Sequence, residues 1–179
     1  MTGLLLRICL LGAIVLATPA RAQTVTGTVT ATFDGEDLTW NTLRYGDTGD
    51  SESSAAFQGG LGMASLAMQA HRTDRPLTED VLWVTLTWIG AKPGAGPASL
   101  VELEFFPSGS QGAYWTSDAA PQPATATVTQ FALTDTAGRA EGTFAATLCR
   151  VEKLGADPDS TDCKPITGQF ATDFPVIAP

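Results

Sequence analysis

The strongest constraint on how this chain folds lies near its C-terminus, where two alternating segments flank a pair of cysteines. In "GTFAATLC", Gly142, Phe144, Ala146 and Leu148 share one parity. In "CKPITGQFATDF", Ile166, Gly168 and Phe170 share one parity, continuing to Phe174. Alternation with period two places such residues on one face of a strand. If Cys149 lies opposite Cys163 in an antiparallel pair, facing residues carry numbers that sum to 312. Leu148 then faces Lys164, Ala146 faces Ile166, Phe144 faces Gly168 and Gly142 faces Phe170. Each aromatic meets a glycine, and its ring can lie across the bare backbone. One register thus satisfies the cysteine pair and the apolar face together, with both cysteines on the parity away from the core. The spacing predicts a hairpin stapled by a Cys149–Cys163 disulfide. Closing a loop of about 15 residues is worth about 3 kcal/mol in a chain-entropy treatment.

The rest of the chain repeats the period. "TVTGTVTATF" sets Val25, Val29, Ala31 and Phe33 against threonines, and Asp34-Gly35 is a hairpin-turn dipeptide that sends "DLTWNTLRY" back. "SAAFQGG" and "MASLAMQAHR" read as short strands. "VLWVTLTWIG" is apolar on both parities, with Trp83 and Trp88 on opposite faces. It reads as a central strand covered on both sides. "LVELEFF" alternates Val101, Leu103 and Phe105 with Glu102 and Glu104, and "ATVTQFALTD" precedes the final pair. No helix-period segment is evident after residue 22. The expected fold is all-β: an antiparallel β-sandwich or flattened barrel of about nine or ten strands in a single domain, 23–179.

The ends and the charge bound the compartment. Arg7, the apolar run Ile8 to Ala17, Pro19 and the small-x-small "ARA" read as a secretory signal peptide, 1–22, cut after Ala22. The apolar run is short for a membrane anchor. The mature chain is expected in the periplasm or secreted, soluble, and not inserted in a membrane after cleavage. Without Arg7 and Arg21, 8 basic residues stand against 19 acidic ones, a net charge of −11. So negative a surface repels nucleic acid. Cys9 leaves with the leader, and the two remaining cysteines suit an oxidising compartment. Their spacing fits neither a redox pair nor a zinc knuckle.

Few residues invite a chemical role. "DPDSTD" offers Asp157, Asp159 and Asp162 as metal-ligand candidates. It lacks the glycine and terminal glutamate of an EF-hand loop, so a solvated turn is the expected reading. "GDTGDSE", with Asp47, Asp50 and Glu52, is a thinner set. His71, the one histidine, has Asp74 nearby but no nucleophile motif, and reads as a solvent-facing residue at a strand end. Glu102 and Glu104 share one strand face about 6.6 Å apart. A glycosidase pair must flank its substrate, so these read as a solvated face. Tyr114 and Trp115, in "GAYW", are candidate ligand-facing aromatics, with Trp40 a further one. No cofactor is expected.

"FDGEDLTW" near the start, with "GTFAATL" and "ITGQFATDFP" near the end, resembles a loose group of small exported bacterial all-β domains of unknown function. That resemblance implies an exported β-domain and carries no catalytic residues. The expected function is a non-enzymatic binding or envelope-structural role, with a protein or glycan partner. The alternatives are a periplasmic hydrolase with a loop-borne site and a calcium-stabilised or carbohydrate-binding module.

Overall fold

A computed structural model describes residues 23–46, 52–90 and 92–177. Residues 1–22, where the signal peptide is expected, Asp47, Asp50 and the side chain of Glu52 lie outside the described residues. Twelve strands form, two of them only two residues long: β1 (Gln23–Phe33), β2 (Glu36–Tyr45), β3 (Glu52–Ser53), β4 (Ala55–Gly60), β5 (Met63–Ala70), β6 (Val81–Ile89), β7 (Gly96–Pro97), β8 (Leu100–Phe106), β9 (Tyr114–Thr116), β10 (Thr125–Leu133), β11 (Ala137–Val151) and β12 (Asp159–Ile177). No described residue is helical.

The long hairpin β11–β12 organises everything else. Its register is Cys149 opposite Cys163, Leu148 opposite Lys164, Phe144 opposite Gly168 and Gly142 opposite Phe170. A further pair, Gly138 opposite Phe174, extends the pattern. The contact is close. A Cβ added at Gly168 would lie 2.5 Å from the Phe144 ring, and one at Gly142 would lie 2.7 Å from the Phe170 ring. Residues Cys149 and Cys163 are disulfide-bonded.

Each hairpin strand uses both edges. The outer edge of β12 pairs first with β1 and then, for Val176 and Ile177, with β4 in parallel. The outer edge of β11 pairs with β10 and then, at its far end, with β9. Two layers result: β3-β2-β1-β12-β11-β10-β7 and β4-β5-β6-β8-β9. They join at the β12–β4 and β11–β9 corners, so the sandwich is a flattened barrel. The expected sheet is antiparallel; the short β12–β4 pair makes it mixed. That exception follows from the length of β12, which overruns β1 and leaves backbone groups free to pair with the other layer.

Aromatic side chains fill the space between the layers. Phe33 meets Phe105 at 5.3 Å, Trp40 meets Phe105 at 5.8 Å and Trp88 meets Phe131 at 5.6 Å, all near edge-to-face. One hydrophobic cluster spans both layers, with Val29, Leu66, Leu86, Leu103 and Ile166 each buried within it. The Asp34-Gly35 turn has φ of 51° and 84°, the two left-handed residues a two-residue hairpin requires.

Three expectations are corrected. Val25 is 53% exposed although it shares the parity of Val29, because the β1–β2 register shifts between Val25 and Gly27. The bulge ends the inward face there. Cys149, on the parity away from the core, is nonetheless fully buried, because the segment after β9 covers it and brings the Ala119 carbonyl to 3.9 Å from its sulfur. And β6 is central but only partly covered on its second face: Leu82, Val84, Leu86 and Trp88 point into the core, while on the other parity Val81 and Thr87 are buried and Trp83 is 43% exposed.

Candidate functional site

The partly open face of β6 is where the fold gathers its unusual side chains. β6 pairs with β8 so that Trp83 lies opposite Glu104, Thr85 opposite Glu102 and Val81 opposite Phe106. β8 in turn pairs with β9, setting Glu104 opposite Thr116. Alternation therefore directs Trp83, Glu102, Glu104 and Phe106 outward together. Trp83 lies 5.7 Å from Phe106, and Phe106 stacks on Tyr114 at 5.0 Å with the rings 16° apart. Three aromatics drawn from three strands thus form a row on the outside of the barrel.

The loop between β11 and β12 overhangs this row and turns it into a groove with two lobes. An acidic lobe of about 540 Å³ is bordered by Trp83, Glu102, Glu104, Tyr114, Asp118 and Asp157 among others. An apolar lobe of about 450 Å³ is bordered by Leu77, Val81, Phe106 and Leu154. Trp83, Glu104 and Tyr114 border both lobes. Among the described residues neither lobe is bordered by a lysine, arginine or histidine.

Glu104 sits where the lobes meet. Its carboxyl is half-buried and has no hydrogen-bond or ion-pair partner among the described residues. Burial holds its pKa above the ordinary carboxylate value, and the negative charges of Glu102 and Asp118 push the same way. Glu102 and Asp118 themselves are exposed. The solvated reading thus holds for Glu102 and not for Glu104.

The sequence candidates separate. Tyr114 faces the groove. Trp115, its neighbour on the other parity, does not: its ring packs 5.5 Å from Phe33 and lies under the Lys164 ammonium at 5.2 Å. Trp40 is buried, and its indole N–H donates to the Asp80 carbonyl at 2.8 Å. The three aspartates of "DPDSTD" diverge. Asp157 borders the acidic lobe. Asp159 accepts from the Thr161 backbone N–H and hydroxyl at 2.9 and 2.7 Å, which draws its pKa down. Asp162 points to the Arg150 guanidinium, 3.9 Å away. Among the described residues no three histidine, cysteine or acidic side chains are grouped to hold a metal ion.

His71 is buried, contrary to the solvent-facing expectation. Its backbone bridges to Asn41 of β2, and that bridge draws β2 across the end of β5. Its Nδ1 lies 2.9 Å from the Leu77 carbonyl and its Nε2 lies 3.3 Å from the Tyr45 hydroxyl. Nδ1 therefore carries the proton, and burial lowers the pKa. Among the described residues no serine, threonine or cysteine side chain hydrogen-bonds to it, and its bonds to the Leu77 carbonyl and the Tyr45 hydroxyl lock a corner of the barrel.

Sequence reasoning passed over Trp83 and Phe106. The signal was present: Trp83 shares its parity with Thr85 and Thr87, and a tryptophan on a strand's polar face is an outward aromatic. Compared with protein-family models, curated protein sequences and solved structures, the chain matches none.

Proposed function

We propose that this chain is an exported, non-enzymatic binding domain whose ligand lies in the groove over β6, β8 and β9. The observation that carries the reading is the Trp83–Phe106–Tyr114 row, left open beside a half-buried carboxylate without a partner among the described residues. Exposed aromatics grouped with a few convergent polar groups are the usual make-up of a ligand site. The leader peptide and the disulfide agree with export to an oxidising compartment.

The test is a thermal-shift screen of the mature chain against panels of glycans, peptides and small organic ions, repeated with Trp83→Ala. A ligand that stabilises the wild type and loses its effect in the variant supports the reading. Ligands that act equally on both place the binding site elsewhere.

A hydrolase reading is favoured by one observation: Asp118 and Asp157, from outside β8, border the same lobe as the raised-pKa Glu104. Glycosidases use a carboxylic acid of raised pKa facing a second carboxylate across the cleft. Turnover of chromogenic glycosides that vanishes with Glu104→Gln would establish it; absence of turnover across the panel leaves the binding role.

A further inference from the structure

The composition of the groove specifies a class of ligand. Elsewhere on this protein many carboxylates meet internal cations: Asp74 pairs with Arg72, Asp80 with Arg75, Glu141 and Asp173 with Arg139, Glu152 with Arg150 and Asp34 with Lys164, while Glu36, Asp37 and Asp135 lie in solvent with no cation partner among the described residues. The groove departs from this pattern. Glu102, Glu104, Asp118 and Asp157 border one lobe with no basic side chain among its described walls. The adjoining lobe is apolar, and the Trp83 indole is shared between them. Spread over a lobe of about 540 Å³, the carboxylates surround a volume far larger than a bare metal ion occupies. An indole face attracts an organic cation through its quadrupole, and does so best when carboxylates flank the same spot.

We infer that the groove takes up an organic cation, an ammonium or guanidinium joined to an apolar body. The charged head sits among Glu102, Glu104 and Asp118 against the Trp83 indole, and the apolar body lies along Phe106 toward Leu77 and Leu154. This rests on the groove being the binding site, as proposed above. The two lobes match the two halves of such a ligand. Its head would also supply the counter-charge that Glu104 lacks among the described residues, and so relieve the repulsion from Glu102 and Asp118. A neutral sugar would leave that repulsion in place.

The test titrates three probes into the mature protein and follows the Trp83 indole N–H resonance, assigned with Trp83→Phe. The probes are phenethylammonium, its neutral analogue 2-phenylethanol, and a capped leucyl-arginine dipeptide. The expected result is that the ammonium binds about tenfold more tightly than the alcohol, about 1.4 kcal/mol. Added salt should weaken the ammonium and leave the alcohol unmoved. Glu104→Gln, which keeps the side-chain shape, should erase most of the preference. Trp83→Ala, read by calorimetry, should weaken both small probes. Tighter binding of the dipeptide than of the amine would identify a peptide source, and the reverse a free amine. Equal affinity for ammonium and alcohol overturns the inference. So does the lack of saturable binding by either cation up to about 10 mM, or calcium chloride moving the resonance at lower concentration than the amine. Those outcomes leave the groove reading intact if the screen still yields a Trp83-dependent neutral ligand. A screen whose every hit survives Trp83→Ala removes both.

Discussion

Two rows of aromatic side chains run along this barrel, and their surroundings differ in every respect. Along the inner face of the β11–β12 hairpin, Phe144, Phe170 and Phe174 each lie over a glycine and are buried. Their positions are fixed by backbone pairing, by the disulfide and by the opposite layer. Along the outer face of β6, β8 and β9, Trp83, Phe106 and Tyr114 lie in a row left open as a groove under the β11–β12 loop, and a carboxylate without a partner among the described residues sits between their strands. The first row has every neighbour it needs inside the chain. The second lacks a neighbour. The difference teaches that aromatic content alone says nothing about role; the state of satisfaction around each ring does.

The sharpest way to break this comparison is to attack the inner row. Gly168→Val should destabilise the protein by about 3 kcal/mol, because the added side chain meets both the Phe144 ring and the Thr30 carbonyl, each within 2.5 Å of a Cβ. Phe144→Ala should cost about 3–5 kcal/mol through the cavity it leaves. Trp83→Ala in the outer row should cost under about 1 kcal/mol, since the side chain is 43% exposed. Urea midpoints at unchanged slope measure all three. A loss at Trp83 as large as that at Phe144 would show that the outer row is structural.

The disulfide comes next. Cys149→Ala with Cys163→Ala should lower stability by about 2–4 kcal/mol, chiefly by releasing the unfolded chain, with β-type far-UV circular dichroism retained. Serine at 149 should cost about 1 kcal/mol more than alanine there, because Cys149 is fully buried and a hydroxyl would be desolvated. Equal midpoints for the alanine and serine forms would mean that the segment after β9 does not seal the staple.

Why one row was legible and the other was not follows from sequence separation. The hairpin register was readable because its two halves are near in sequence and three constraints coincide in one alignment: the cysteines, the apolar parity and the glycines opposite rings. The Asp34-Gly35 turn and the inward face of β8 were readable by the same local rule. The groove draws Trp83, Glu104, Tyr114 and Asp157 from four separate segments, and alternation alone does not say which strands become neighbours. Trp83 was hidden by a run apolar on both parities, and Trp115 was taken with Tyr114 although adjacent strand residues face opposite ways. His71 was misread because its burial depends on Asn41, 30 positions earlier, folding across it. The β11–β9 corner buried Cys149 in the same non-local way.

His71 gives a pH signature that belongs to the structural side of the comparison. Its folded pKa is lowered by burial, so the unfolded chain binds the proton more readily than the folded one. The stability this residue contributes is present above its ordinary value of 6.5 and is lost as pH falls from there through the folded pKa. Wild-type urea midpoints should therefore decline below about pH 6.5, and His71→Gln should flatten that part of the profile. A decline that persists unchanged in the variant would assign the acid sensitivity to carboxylates instead.

The smallest expected effect is the most informative about the groove. Burial and two like charges raise the Glu104 pKa in the folded protein above its ordinary value of 4.5. For a carboxylate shifted upward, the folded state holds the proton more tightly than the unfolded chain. Its favourable contribution is therefore complete below pH 4.5 and is lost as pH rises through the folded pKa. Near neutrality the ionised carboxylate weighs against the fold, and Glu104→Gln should raise the urea midpoint slightly. Below pH 4.5 the protonated acid and the amide are both uncharged, so the advantage should disappear. A surface carboxylate serving only solubility would show no such crossover, because solvent would screen it in both states. A residue held at a small cost to the fold, on a face the fold leaves open, is what a binding site requires of its charged group. Loss of stability in Glu104→Gln at neutral pH would show instead that the carboxylate has a partner within the chain, and the contrast between the two rows would fail at its central residue.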